Sequence, residues 1–182
     1  MDHIYYCACD SSVGRIGIIF TCDRIKPRII RVTLPSEKLK TCINRICPGM
    51  KKHDCPRIMR VLKKIRAYLD GRTIRLPLDL VDWRRTGVFQ KRVLLMEYRI
   101  PRGQVSTYGR LAKKLGNPGA ARAVGNALAR NPFPLLIPCH RAVRSDGSLG
   151  GYRGGVKLKR KLLEMERLRF DRKGRIVKVC FW

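Results

Sequence analysis

One short stretch, residues 131–143, constrains this chain more than any other part of its sequence. It reads Asn-Pro-Phe-Pro-Leu-Leu-Ile-Pro-Cys-His-Arg-Ala-Val. The apolar run at residues 135–137 indicates a segment that passes through the protein interior, and it leads directly to Cys139. Three prolines fix φ and remove backbone donors, so the approach to the cysteine is stiff: Pro132, Pro134 and Pro138.

Cys139 followed by His140 is a candidate nucleophile beside a candidate base. A free cysteine has a pKa of roughly 8.5, so only a few per cent is thiolate at neutral pH. An imidazole or a guanidinium nearby can stabilise the thiolate, and both His140 and Arg141 are adjacent in sequence. Taken alone, such a pair is more often a buried structural thiol, because neighbours in sequence need not face each other.

Short motifs flank this stretch in order, between residue 88 and about residue 168. They are Val-Ser-Thr-Tyr at 105–108, Ala-Ala-Arg-Ala-Val-Gly at 120–125, Gly-Tyr-Arg-Gly-Gly at 151–155 and Leu-Leu-Glu-Met-Glu at 162–166. Together with Asn-Pro and Pro-Cys-His-Arg-Ala-Val inside the central stretch, the ordered set resembles the O6-alkylguanine-DNA alkyltransferases. The resemblance covers nearly half of the chain, and the N-terminal half contains no matching motif.

The resemblance implies a DNA repair activity that works once per molecule. Such a protein binds duplex DNA, flips the damaged nucleotide out of the helix and transfers the alkyl group from guanine O6 to the thiolate of Cys139. Because a thioether does not hydrolyse readily, the transfer is irreversible and inactivates the protein. This displacement needs neither a metal nor an organic cofactor, so we expect none.

The resemblance also implies which residues carry the reaction. Cys139 is the nucleophile, His140 the base, and Glu166 the carboxylate that orients His140, as in the relay of a thiol hydrolase. Asn131 belongs to the same catalytic set. Since Cys139 is present, the chain differs from the non-catalytic alkyltransferase-like proteins, which lack this cysteine.

The glycine-rich loop at residues 145–155 is expected to wall the base pocket, because glycines let backbone groups approach a ligand closely. By resemblance, Tyr152 is a lid, the backbone of Arg153 donates toward guanine O6, and the carbonyl of Val143 accepts from the exocyclic amine. Tyr108 faces the base and pushes on the phosphate. Arg153 stands where a smaller residue is common, so its side chain could crowd large adducts or contact a phosphate.

Two short helices around a glycine-containing turn predict a helix-turn-helix at residues 108–130. Ser106 or Thr107 can cap the first of them. The second, at residues 120–130, is rich in small side chains, which indicates either tight helix packing or close approach to DNA. Asn126 stands where a second glycine is common.

The resemblance implies that this second helix enters the minor groove, and that Arg122 takes the place of the flipped nucleotide in the base stack. The expected DNA contacts are Thr107, Ala120, Ala121, Arg122 and Gly125.

The charge is strongly positive: 41 Lys and Arg against 13 Asp and Glu give a formal net charge of +28. Such an imbalance favours a polyanionic partner, with nucleic acid ahead of an anionic membrane surface. No run of about 18 apolar residues predicts a membrane span. The N-terminus lacks the pattern of a secretory signal. These features lead us to expect a cytoplasmic protein, and the resemblance implies a monomer whose partner is double-stranded DNA carrying O6-alkylguanine.

Six of the eight cysteines lie before residue 60, and their state is left open by the sequence. Zinc ligation, disulfides and scattered buried thiols are the alternatives, and Cys-Ala-Cys at residues 7–9 lacks the spacing of a typical zinc knuckle. The six are Cys7, Cys9, Cys22, Cys42, Cys47 and Cys55.

Hydrophobic patterns predict a small α+β domain at residues 1–85. β-branched runs at residues 15–20 and 28–33 predict a hairpin around a polar turn at 21–26. A helix is expected from Pro56 to Gly71, which would stand at its C-terminal cap. Residues 73–78 are typical of an edge strand or extended segment, and residues 36–53 support no assignment.

Residues 86–182 predict a mainly helical second domain that contains the helix-turn-helix and the Cys139 stretch. Besides those two helices, apolar spacing predicts helices at residues 88–99 and from 156 to about 167. The basic tail ends in a strand-like segment at residues 176–182. The expected fold class is thus α+β, with a small N-terminal domain that contains a β-sheet and a helix, followed by a mainly helical C-terminal domain that contains the helix-turn-helix.

Two other functions compete with DNA repair. A Cys-His hydrolase would use the same pair on an acyl carbon, but it would need an oxyanion hole and would turn over. A non-catalytic helix-turn-helix protein would explain the charge and the helices, but not a cysteine held by prolines.

Overall fold

The protein is described by a computed structural model at residues 3–22, 26–35, 39–177 and 181–182. Two compact units make up the chain. The first comprises Met1–Arg85 together with Pro132–Leu136, and the second comprises Thr86–Asn131 and Ile137–Trp182. The short stretch that precedes Cys139 thus packs with the first unit, although Cys139 itself lies in the second.

The first unit is built on a four-stranded sheet of order β3-β2-β1-β4. β2 pairs antiparallel with both β1 and β3, which confirms the expected hairpin, while β4 pairs parallel with β1. Residues 23–25 of the expected turn lie outside the described residues. The strands are β1 (His3–Cys9), which the sequence did not predict, β2 (Ile16–Cys22), β3 (Arg28–Thr33) and β4 (Lys51–Lys52).

Two helices accompany this sheet, α1 (Leu39–Ile46) and α2 (Pro56–Leu69). α2 confirms the predicted helix, and its apolar stripe is buried. The chain leaves α2 through Gly71 at φ +92°, a conformation that favours glycine. Residues 73–78, expected to be an edge strand or extended segment, form no strand. Beyond them, Ile29 of β3 donates to the carbonyl of Leu80 at 2.6 Å.

The second unit contains four α-helices within its described residues, and all four were predicted. α4 and α5 form the expected helix-turn-helix, with a 3₁₀ turn at Pro118–Ala120 before α5. In the C-terminal segment, residues 178–180 lie outside the described residues, and Phe181 forms an isolated bridge with Val105. The helices are α3 (Val88–Tyr98), α4 (Tyr108–Lys114), α5 (Ala121–Ala129) and α6 (Val156–Met165).

A two-stranded parallel sheet, β5 (Ser106–Thr107) and β6 (Ala142–Val143), lies within the second unit. β6 and the residue before β5 contribute to an apolar core, whose buried members are Val105, Val143, Leu149, Leu163, Leu168 and Ile176. In the parts of the chain that the structure describes, no helix has both the length and the apolar character needed to cross a membrane.

Candidate active site

The β5–β6 pairing positions Cys139 beside the start of α4. Thr107 lies opposite Val143 in the register. α4 therefore begins next to the strand that follows the Cys139 turn. Cys139 begins a 3₁₀ turn, Cys139–Arg141, in which the Arg141 amide donates to the carbonyl of Pro138 at 2.8 Å. The cysteine is thus held by proline on one side and by a strand on the other.

Glu166, directly after α6, pairs with His140 in the protein interior. Its Oε1 lies 3.0 Å from His140 Nε2, and both side chains are fully buried. Arg141 binds the same carboxylate, with Nε 3.1 and 3.0 Å from the two oxygens and Nη2 2.7 Å from Oε1. The Gly103 amide donates to Oε2 at 3.2 Å. The carboxylate therefore receives donors from three residues.

These donors decide the charge of Glu166. Burial by itself would raise its pKa, but the hydrogen bonds and positive charges of His140 and Arg141 hold that pKa well below its usual range. The carboxylate is accordingly ionised at neutral pH. Burial lowers the pKa of His140, and Glu166 opposes this effect only in part. A neutral His140 that donates from Nε2 to Glu166 carries its basic lone pair on Nδ1.

Arg141 binds the carboxylate that pairs with His140, a partner that its place beside Cys139 in the sequence did not suggest. Its guanidinium binds Glu166, and Nη1 donates to the carbonyl of Ile100 at 2.6 Å. Glu166 lies 25 positions away in the chain, so adjacency in sequence could not reveal this partner. Arg141 thus holds the carboxylate that holds His140.

The Cys139 thiol is protonated in this environment. Burial raises its pKa to about 11, and the negative charge of Glu97 acts in the same direction. A hydrogen bond from the Asn131 side chain and the charges of Arg153 and Lys159 lower the pKa, but by less. The reactive thiolate must therefore form during the reaction.

A cleft of about 410 Å³ opens at Cys139. It brings together four of the residues that the sequence singled out with Cys139, namely Tyr108, Tyr152, Arg153 and Gly125. The full lining is Tyr108, Gly125, Leu128, Ala129, Cys139, Gly151, Tyr152 and Arg153. The cleft is thus built from α4, α5, the Cys139 turn and the glycine-rich loop.

Tyr108 is fixed in this cleft by its surroundings. Burial raises its pKa to about 12, so the phenol stays protonated. A Cβ added to Gly150, which has φ +65°, would lie 3.0 Å from the Tyr108 hydroxyl oxygen. Close packing against the phenol therefore requires glycine here. Tyr152 meets the His140 ring edge-on at a centroid distance of 6.4 Å.

The remaining predicted contacts are placed apart from the cleft lining. Thr107 caps α4, because its side-chain oxygen accepts from the Arg110 amide at 3.1 Å. Val143 is completely buried in β6. Arg122 is exposed in the first turn of α5, and Ala120 and Ala121 precede it at the 3₁₀ turn and helix start.

Arg153 is half-buried, and its guanidinium makes a hydrogen bond within the second unit. Its Nη1 donates to the backbone oxygen of Asn131 at 2.8 Å, and the Asn131 amide donates to the carbonyl of Ile137 at 3.1 Å. The glycine-rich loop is thereby tied to the residue that hydrogen-bonds to the Cys139 thiol. This link is a third role for Arg153, beside the crowding of large adducts and the phosphate contact considered from sequence.

Two buried charged residues near the site were missed from sequence. Lys159 of α6 is inaccessible to solvent, and its Nζ donates to the carbonyls of Ala142, at 2.5 Å, and Leu149. Glu97 of α3 is also fully buried, and burial raises its pKa to about 8. The position of Lys159 three and four residues before Leu162 and Leu163, on the apolar stripe of α6, is the signal that could have found it.

The cysteines of the first unit form no site in the described part of the chain. Among the described residues, Cys7, Cys9, Cys47 and Cys55 of this unit are free thiols. No three or more described His, Cys, Asp or Glu side chains are grouped to hold a metal ion. Burial raises the pKa of Cys7 to about 12, which makes this thiol unreactive.

The comparisons with known protein families and with individual relatives agree with one another. A family model described as "6-O-methylguanine DNA methyltransferase, DNA binding domain" matches residues 88–168. Methylated-DNA–protein-cysteine methyltransferase of Methanothermobacter thermautotrophicus is 50% identical over 151 residues, which span 83% of this chain and 78% of that protein. The protein of the same name from Methanocaldococcus vulcanius is 37% identical, with coverage of 85% and 92%.

The fold is similar as well. A crystal structure of Mycobacterium tuberculosis OGT in complex with DNA superposes with a TM-score of 0.72 at 30% identity, covering 90% of this chain and 93% of that chain. Both units are therefore represented in the matched fold.

Proposed function

Because the chain belongs to the methylated-DNA–protein-cysteine methyltransferase family, we propose that it repairs DNA by moving an alkyl group from guanine O6 to Cys139. One observation carries the proposal. Cys139 lines a cleft, and the histidine next to it in sequence is paired with an ionised, buried Glu166. A buried thiol next to a histidine–carboxylate pair has the components of an activated nucleophile.

The first step is deprotonation of Cys139, since burial raises its pKa to about 11. His140 accepts the proton at Nδ1, because Nε2 is committed to Glu166, and the carboxylate stabilises the imidazolium that forms. Asn131 supports the thiolate through its hydrogen bond to the sulfur.

The second step is a single displacement at the alkyl carbon. The bond from Cys139 sulfur to carbon forms while the bond from carbon to O6 breaks, and the electron pair remains on the guanine. A proton then restores the normal base. The thioether is not hydrolysed, so each molecule acts once and is inactivated, and the step needs no cofactor.

The flipped guanine occupies the cleft beside Cys139. Tyr108 and Tyr152 line this cleft and bracket the base, while the backbone of Arg153 and the carbonyl of Val143 read its edge. Flipping is required because the thiol cannot reach its target inside the duplex.

Duplex DNA carrying O6-alkylguanine is the partner that the helix-turn-helix and the charge of +28 support. α5 approaches the minor groove with its small residues Ala120, Ala121 and Gly125, Thr107 sits at the start of α4, and Arg122 fills the vacated place in the stack. We assign DNA binding and chemistry to residues 86–182, and expect a monomer that acts inside the cell.

The Cys139→Ala variant tests this function. We expect wild type to gain the mass of one methyl group after incubation with a duplex containing O6-methylguanine, and the variant to gain none while still binding the duplex. The reason is that the nucleophile is lost while the basic surface is unchanged. The measurement is intact mass spectrometry of the full chain, with binding followed separately.

Cys47→Ala is the matched control, because Cys47 is a partly exposed thiol of the first unit and should not affect transfer. Full methyl transfer by Cys139→Ala to another cysteine would refute the assignment. More than one repaired base per protein molecule would instead favour a thiol hydrolase.

A further inference from the structure

The helix α2 of the first unit carries a row of positive charges along one face. Its sequence contains Lys and Arg but no Asp or Glu, so no ion pair forms between residues of the helix. Arg57, Arg60 and Lys64 follow one another at spacings of three and four residues, which places them on the same face. All three are exposed. Like charges at these spacings repel one another and destabilise a helix.

This row borders a groove of about 440 Å³ within the first unit. The charged side chains of the groove are four cations and one carboxylate, and we call it the basic groove. The carboxylate of Asp79 lies 3.9 Å from Lys26 Nζ and is 63% exposed, so this ion pair is loose and well solvated. It offsets little of the charge on α2. The charged lining is Lys26, Arg57, Arg60, Lys64 and Asp79.

Other carboxylates of the first unit pair with cations outside the basic groove. Within the described residues, Arg57, Arg60 and Lys64 form no ion pair with a carboxylate. The charge of α2 on this side is therefore not neutralised by the protein, which favours an anionic ligand in the groove. The pairs outside the groove are Asp10 with Arg15, Asp54 with Lys52, Asp70 with Arg66 and Asp82 with Arg84.

The length of the row favours a polyanion over a single small anion. From Arg57 to Lys64 an α-helix rises about 10 Å. Duplex DNA carries about six phosphate charges over that length. A row of three cations thus matches a series of phosphates.

The apolar part of the groove separates duplex DNA from two other polyanionic partners. It consists of Val61, Pro77 and Leu80, so it offers no aromatic ring on which the bases of a single strand could stack. Among the described residues, the exposed large apolar side chains all belong to the second unit. α2 therefore lacks the apolar face with which a helix binds a membrane surface.

We propose that the basic groove binds the phosphate backbone of duplex DNA, without regard to sequence or damage. This surface adds to the proposed function, which assigns DNA binding to residues 86–182. Contacts between side-chain cations and phosphates carry no sequence information. They depend strongly on salt, because each contact releases counterions from the DNA.

The triple variant Arg57→Gln, Arg60→Gln and Lys64→Gln tests the inference. Binding of the full chain to an undamaged duplex is measured by fluorescence anisotropy at several salt concentrations. We expect the plot of log affinity against log salt concentration to become shallower by about two to three, since each phosphate contact contributes about 0.9 to the slope.

The triple variant Lys40→Gln, Arg45→Gln and Lys51→Gln is the control. It removes the same charge from exposed residues of the first unit that do not line the basic groove. Its slope should change by less than about one. An equal change in both triple variants would overturn the inference, because bulk charge would then explain the effect. An unchanged slope in the groove variant would overturn it as well.

Lys64→Gln and Lys63→Gln form a matched pair that disturbs the fold less than a triple substitution. Both lysines are exposed on α2 and adjacent in sequence, but only Lys64 lines the basic groove. The slope should fall by about 0.9 in Lys64→Gln and stay unchanged in Lys63→Gln. Equal slopes in these two variants would contradict the inference even if the triple variant does not fold.

Two further measurements separate the alternatives. Loss of binding to vesicles of phosphatidylserine and phosphatidylcholine in the groove variant, with duplex binding unchanged, would overturn the inference in favour of a membrane surface. Methyl transfer from free O6-methylguanine base should be equal in the groove variant and wild type, because the base reacts at Cys139. Failure of wild type to methylate Cys139 would refute the proposed function but would leave the binding measurement intact, so the two failures are distinguishable.

Discussion

Glu166 is the residue that joins the other residues of the site by hydrogen bonds. Its carboxylate accepts from His140, Arg141 and the Gly103 amide in a fully buried position. A buried charge is tolerated only when it is paired and hydrogen-bonded, and three donors satisfy that condition here. The same contacts fix the tautomer of His140. One residue thus links the stability of the site to its chemistry.

Replacement of Glu166 by Gln should slow transfer by about tenfold or more while DNA binding changes little. The amide preserves shape but removes the negative charge that stabilises protonated His140, so less Cys139 thiolate forms. Single-turnover rates and a titration of the Cys139 thiol against pH measure the two effects.

Glu164→Gln is the control for this variant, since Glu164 lies on the same helix but is exposed and pairs with Arg160. An unchanged apparent pKa of Cys139 in Glu166→Gln would rule out the explanation through thiolate formation.

Glu97 is a residue whose charge opposes folding. It is fully buried, and the charges of Lys159 and Arg141 and the backbone N–H of Ala142 lower its pKa by less than burial raises it. Burial raises the pKa to about 8, above its ordinary value of 4.5. A carboxyl with a raised pKa in the folded state stabilises that state at low pH and loses the contribution as pH rises through the folded pKa.

Glu97→Gln should therefore gain stability relative to wild type as pH rises from about 5 to about 8. Lys159, whose pKa burial lowers to about 8, acts mainly above this window, because its unfolded value is 10.5. Denaturant unfolding of both proteins at the two pH values measures the difference. A difference in free energy of unfolding that does not change with pH would contradict the prediction.

At the scale of elements, α4 and α5 carry the DNA-binding proposal. Thr107 caps α4, and a 3₁₀ turn leads into α5 with Arg122 exposed in its first turn. α5 buries Val124, Ala127 and Leu128 on its other face. On one side, small residues of α5 thus contribute to packing. On the other side, they leave a helix surface of mainly short side chains.

Arg122→Ala should slow transfer from duplex DNA but barely change the reaction with free O6-alkylguanine base, which needs no flipping. Most of the charge of +28 remains after one substitution, so bulk attraction persists and the salt dependence loses about one contact at most. Single-turnover rates at saturating protein, on duplex DNA and on free base, measure whether the defect is specific to the duplex.

Lys113→Ala provides the comparison, because it removes an exposed cation from α4 without touching the start of α5. Equal fractional loss on duplex and free base in Arg122→Ala would mean that Arg122 supports the fold or the cleft. The intercalation proposal would then be dropped.

At the scale of the whole molecule, neither of the two units is one uninterrupted stretch of the chain. Pro132–Leu136 packs with the first unit, where the Val32 amide of β3 donates to the carbonyl of Pro132 at 2.8 Å. Trp83 meets Phe133 edge-on in the same unit. The stiff approach to Cys139 is therefore anchored outside the unit that holds Cys139 itself.

The sequence by itself determined the secondary structure that has a clear period or a strong stop signal. The apolar spacing of α2 and α6, the β-branched runs of β2 and β3, and the glycine turn before α5 all have local physical causes, so they could be predicted. The ordered motifs around Cys139 also indicated the family.

Only the tertiary structure decided which partner each long or charged side chain takes. Arg141 binds Glu166, Arg153 binds the Asn131 carbonyl, and Lys159 lies buried at zero exposure beneath two backbone carbonyls. Leu135 adopts φ +71°, which no local preference of leucine favours. The physical reason is the same in each case. These choices depend on groups brought together through space from distant parts of the chain, whereas local patterns report only periodicity, capping and turn preference.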